Sequence, residues 1–184
     1  MNLGKIKELE DAKKEAQEYG SRYNSLFKKK KHDYIINAHN DFKVFFKEKG
    51  FTIQENDYML EAIYGGSKIK ITIPNEEDCY IGAYSVWELQ CSIDKSKYRI
   101  LLNELHHYPT MRTSIGVSST LSEEEKINRE LNKIKETIQE TKNNIDKFDD
   151  VKFGYGLINE NEQNTNSKYP QFETMKELLE NIFE

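Results

Sequence analysis

YMLEAIYGGSKIKITI, residues 58–73, is the stretch on which the fold turns. In its second half Ile69, Ile71 and Ile73 point one way while Lys68, Lys70 and Thr72 point the other, which is the two-residue period of a half-buried strand. Gly65-Gly66-Ser67 divides that run from Tyr58–Tyr64 and reads as a hairpin turn, since glycine adopts positive φ without steric cost. The same period continues on both sides. Phe51 and Ile53 alternate with polar neighbours before it, and residues 74–78 form a turn-rich loop after it. Cys79–Ile93 then reads as a long strand with Trp87, Leu89, Cys91 and Ile93 opposite Val86, Glu88 and Gln90. Residues 94–97 turn the chain into Tyr98–Leu105, and a further strand, Val151–Ile158, sets Phe153, Tyr155 and Leu157 against Gly154 and Gly156. The pattern predicts antiparallel strands with one apolar and one wet face.

Helical periods flank this block. Residues 34–49 place Ile35, Ala38, Phe42, Phe45 and Phe46 on one side and stop at Gly50, a broad aromatic face suited to covering the sheet. Residues 3–29 are narrower. Leu9, Ala12, Ala16, Tyr19, Tyr23 and Leu26 are spaced alternately three and four apart, with Gly20 weakening the middle by about 1 kcal/mol. The pattern leaves open whether the Lys28–His32 run joins or divides these two helices. Ser122-Glu123-Glu124-Glu125 is a capping box, and behind it Ile127, Leu131, Ile134, Ile138, Thr141, Ile145 and Phe148 repeat the seven-residue spacing. Two such slender stripes predict helices that pair lengthwise, with each other or with those of a second copy, and the sequence leaves that choice open. The second helix would be about 39 Å long, and the sixteen-residue loop before it can reach about 50 Å. Because Asp149 and Asp150 alone separate it from the next strand, a parallel pair is expected. Residues 172–182 add a short amphipathic helix whose apolar face is expected to complete the core, with binding of a partner as the alternative.

The chain has 184 residues, of which 36% are hydrophobic and 32% charged. Much of it must therefore face water. No run approaches the roughly 20 apolar residues of a spanning helix, and the first twenty residues lack the apolar core of a secretory signal. A soluble, cytoplasmic protein without membrane contact is expected. Charge is uneven, with net +4 over residues 1–50, −3 over 51–121 and −6 over 122–184. The basic first and acidic last thirds can attract each other within one molecule or between two.

Chemistry-bearing patterns are sparse. Cys79 and Cys91 form neither a CxxC nor a Cys/His ladder, so no metal and no disulfide is signalled. His32 and His39 lie about 10 Å apart if helical, too far to share one ion. His106 and His107 would point oppositely at a strand end. Asp78 with Glu88 and Gln90 has the residue types of a magnesium-dependent nuclease site, but Gln stands where Lys is usual, and strand alternation already accounts for Glu88 and Gln90. Lys28, Lys29, Lys30 and Lys31 could bind phosphates, with Arg22 and Lys43 nearby and Tyr23, Phe27 and Tyr34 able to stack on bases. No nucleotide-binding glycine loop or nucleophile elbow appears.

These readings give an α+β fold over residues 1–184: a small antiparallel sheet of four to six strands covered on one face by helices, with a paired, coiled-coil-like arm. The arm takes 3–30 and 122–148, and the body takes 34–105 and 151–183. In style the chain is like small accessory proteins of mobile elements or bacterial conflict systems. The function expected is non-catalytic binding, inhibition or assembly toward a larger protein or a second copy, without a cofactor. Tyr19, Tyr23, Ile127, Leu131 and Ile134 are the candidate contact residues, because large rigid or apolar side chains dominate interfaces. A nucleic-acid-binding module using Lys28–Lys31 is the first alternative, and a magnesium hydrolase using Asp78 and Glu88 the second.

Overall fold

A computed structural model describes residues 3–75, 82–105, 122–160 and 171–184. The chain is α+β, and its described residues form six antiparallel strands and three α-helices in the order α1 Leu3–Glu48, β1 Thr52–Asn56, β2 Met59–Tyr64, β3 Ser67–Thr72, β4 Ser85–Cys91, β5 Lys97–Glu104, α2 Glu123–Asp146, β6 Phe153–Asn159 and α3 Met175–Phe183. Packing divides it into two units. One comprises Met1–Lys28 with Tyr108–Asp150, and the other Lys29–His107 with Val151–Glu184. We refer to them as the arm and the body.

The body is a meander whose spatial order equals its chain order, β1 through β6. Tyr64 pairs with Ser67 across Gly65-Gly66, so the hairpin turn is the two-residue kind. Gly65 has φ +56 and carries the positive angle at the first central position, as a II′ turn requires. Alternation holds along β4, where Ser85, Trp87, Leu89 and Cys91 are buried while Glu88 and Gln90 are exposed. The buried face also takes Leu60 and Ala62 from β2, Ile69 and Ile71 from β3, Ile100 and Leu102 from β5, and Phe153 and Tyr155 from β6. Ile35, Ala38, Phe42, Phe45 and Phe46 of α1 and Met175, Leu178 and Leu179 of α3 supply the opposing layer. The opposite face of the sheet carries charge, with Glu61 between Lys68 and Lys70, and Glu88 opposite Arg99.

Two strand expectations are corrected. The strand that reads as starting at Cys79 begins at Ser85, after Gly82 at φ +83, while residues 76–81 lie outside the described segments. Ile93 does not continue the buried row. It is 67% exposed because pairing stops at Cys91 and the chain enters a turn with Lys95 at φ +59. The two helical readings of the first fifty residues are one 46-residue helix. Nothing in Lys28–His32 breaks it, since lysine is a good helix former and no proline intervenes. Its end is a full Schellman motif. The Gly50 N–H donates to the Lys47 carbonyl at 3.0 Å, the Phe51 N–H to the Phe46 carbonyl at 2.9 Å, and Gly50 has φ +84. The Phe46 and Phe51 rings, 5.3 Å apart, make the apolar contact that accompanies this cap.

Thr174 and Glu177 cap α3 in the same reciprocal way as Ser122 and Glu125 cap α2. Phe172, expected in that last helix, instead pairs with Tyr155, and its segment closes the free edge of β6. Tyr155 ties the sheet to the helix layer. Its hydroxyl donates to the Tyr34 carbonyl at 3.0 Å, and burial pushes its phenol well above the usual range.

In the arm, the α1 residues Leu9 and Ala12 form a buried cluster with Leu131 of α2, flanked by Ile127 and Ile134. Ion pairs run beside this seam: Lys5 to Glu124 at 2.7 Å, Lys13 to Glu130 at 3.1 Å, Lys135 to Glu8 at 2.7 Å and Lys142 to Glu15 at 2.9 Å. Along each flank the partners advance on both helices, from Lys5–Glu124 to Lys13–Glu130 and from Glu8–Lys135 to Glu15–Lys142, and Tyr23 lies edge-on to Phe148 at 5.6 Å, so the helices are parallel.

Candidate binding site

The body contains a cavity of about 300 Å³ where the C-terminal ends of α1 and α3 meet the β4–β5 turn. Its depth is apolar. Ile69 of β3 and Cys91 of β4 are there because strand alternation turns them inward, and both are nearly fully buried. Phe46 and Phe51, brought together by the helix cap, form one wall, and Ile182 and Phe183 another, with the Phe46 and Phe183 rings 5.4 Å apart. Ile93 and Asp94 from the β4–β5 turn and Lys49 from the end of α1 stand at its border. Tyr64, 62% exposed, lies against Phe51 with ring centroids 5.4 Å apart and extends the apolar border.

The polar groups are engaged within the body. Asp94 accepts from the Ser96 N–H at 2.9 Å and the Ser96 hydroxyl at 2.6 Å. That hydroxyl, the adjacent amide and the Cys91 thiol hold the Asp94 carboxyl below the usual carboxylate range. Lys49 pairs with Glu184 at 2.6 Å and lies 4.7 Å above the Phe45 ring. Cys91 is a free, buried thiol. The hollow is therefore apolar in its depth, and the charges at its border are paired.

The five residues singled out from the sequence lie elsewhere. Ile127, Leu131 and Ile134 pack on Leu9 and Ala12, Tyr23 meets Phe148, and the Tyr19 ring receives the Lys142 ammonium at 4.5 Å. They are brought together, as the seam between α1 and α2. The four lysines do not form one face, because successive helical residues are turned by about 100°. Lys28 and Lys29 are exposed, while Lys31 is 7% exposed. Of the aromatic neighbours, Tyr34 packs on Phe153 and Tyr155, and Lys43 is paired with Glu55 at 2.7 Å. Glu88 is exposed opposite Arg99, whereas Asp78, Cys79, His106 and His107 lie outside the described residues. No cluster of three or more His, Cys, Asp or Glu side chains able to hold a metal occurs among the described residues. Nor is any described helix long and apolar enough to cross a membrane.

Sequence reasoning missed the cavity, whose lining comes from five separate elements. One local signal was readable: Asp94-x-Ser96 is a side-chain-stabilised turn, which takes Ile93 out of the strand and leaves an isoleucine at the surface. Comparison of the chain with family models, with curated protein sequences and with solved structures finds no match.

Proposed function

We propose that this is a non-catalytic binding protein that docks on a larger protein, in an inhibitory or assembly role, by receiving an apolar side chain of that partner in the body cavity. The observation that carries this reading is an open apolar hollow with an exposed isoleucine on its rim and its polar groups already engaged. Interfaces draw most of their energy from a few large side chains seated in pockets, with tyrosine frequent around them. Tyr64 and Ile93 fit that role here, whereas the seam residues of the arm already bury their apolar surface within the chain.

The test is capture of partners by the full chain from its native host, in parallel for the unaltered protein, Ile93→Asp and Lys135→Glu. The expected result is a protein retained by the unaltered chain and by Lys135→Glu, and lost with Ile93→Asp. Equal retention by all three would remove the cavity from the interface.

A further inference from the structure

Among the candidates outside the cavity, one joins the helix layer to the centre of the sheet through a titratable group. Trp87, the only tryptophan in the chain, is fully buried at the middle of β4. Its indole N–H donates to Nε2 of His39 on α1 at 3.3 Å. An indole nitrogen can only donate, so this bond exists only while His39 is neutral with its proton on Nδ1. Protonated imidazole presents two donors and no acceptor. The same contact would then set N–H against N–H and leave a buried donor unpaired.

We propose that His39 and Trp87 form an acid-sensitive latch between α1 and β4, closed when the imidazole is neutral and released when it takes a proton. His39 is only half-buried, so protons reach it, while the indole it holds is sealed from water. Among the described residues, Lys43 and Glu55 are the charges that act on His39. Lys43 lies one turn further along α1, and Glu55 of β1 pairs with Lys43. On the far side Trp87 meets the Tyr155 ring at 5.8 Å, and Asp41 of α1 accepts from the Lys176 N–H at the start of α3. Burial and then Lys43 depress the His39 pKa, whereas Glu55 raises it. The latch therefore opens below the ordinary imidazole value of about 6.5. This device is independent of the cavity.

Trp87 emission from the full chain, followed between about pH 7.5 and 4.5, reads the latch directly. The expected result is a reversible change with a midpoint below about 6.5, missing in His39→Gln, whose amide oxygen can accept without titrating. Lys43→Met should raise the midpoint and Glu55→Gln should lower it, since each leaves the other's charge acting alone on the imidazole. A flat titration, or a change that persists in His39→Gln, overturns the proposal. Should His39→Gln fail to fold at neutral pH, the two charge variants decide, and a midpoint indifferent to both overturns it.

Discussion

Arm and body are built from the same chemistry in opposite proportion. The body buries a continuous aromatic and aliphatic layer, including Phe42, Phe45, Phe46, Trp87 and Tyr155, and carries paired charges on the outer face of its sheet. The arm buries a line about one residue wide, and places ion pairs on either side of it. Two parallel helices of this narrowness can exclude water only along their seam. The difference teaches where the tolerance of each unit lies. Substitution of a single side chain should strike the body hardest, and ionic conditions should affect the arm more.

The largest effect should come from Phe42→Ala in the body. Phe42 is fully buried against Phe46, with ring centroids 4.7 Å apart, and its removal leaves a cavity in a layer that cannot collapse. A loss of about 3–5 kcal/mol is expected in urea unfolding followed by Trp87 emission. A loss under about 1 kcal/mol would mean that the two units do not differ in the assumed way. Leu131→Ala should cost less, about 2 kcal/mol, because the seam can close partly around the gap. Here the far-ultraviolet helix signal should melt earlier while the Trp87 transition stays in place, and coincident shifts of both probes would show one cooperative structure instead. The smallest effect belongs to Lys135→Glu, which sets two carboxylates together at Glu8. It should lower the helix melting midpoint at low ionic strength, with most of the deficit gone at about 1 M salt, where the screening length is about 3 Å. A deficit indifferent to salt would point to packing rather than charge.

Legibility followed the range of the interactions. The strands were readable because each residue's face is set by its neighbours two away, as with Ile69 and Ile71. So were the capped start of α2 and the glycine stop of α1, both determined within a few residues. That both slender helices seek a lengthwise mate was readable because one period recurs in both stripes, but that the mate lies in the same chain was not. What escaped was nonlocal. Phe46, Phe51, Cys91, Ile93 and Phe183 become one cavity only after the sheet has formed. His39 meets Trp87 across forty-eight positions of sequence, with no spacing to announce it. The basic run looks compact on paper, but its four lysines spiral around the helix once folded.

The strand order has a kinetic corollary. From β2 to β5 each strand pairs with the one just before it, so most of the sheet can zip up from near neighbours as the polypeptide collapses. The last addition is different. Glu104 and Phe153 are direct partners, yet an excursion of roughly fifty residues carrying α2 separates them. Joining its ends costs about 3 kcal/mol more entropy than a two-residue turn would. Docking of β6 is therefore expected to lag the rest of the sheet, and the bond by which Tyr155 ties that strand to α1 forms only once it has docked.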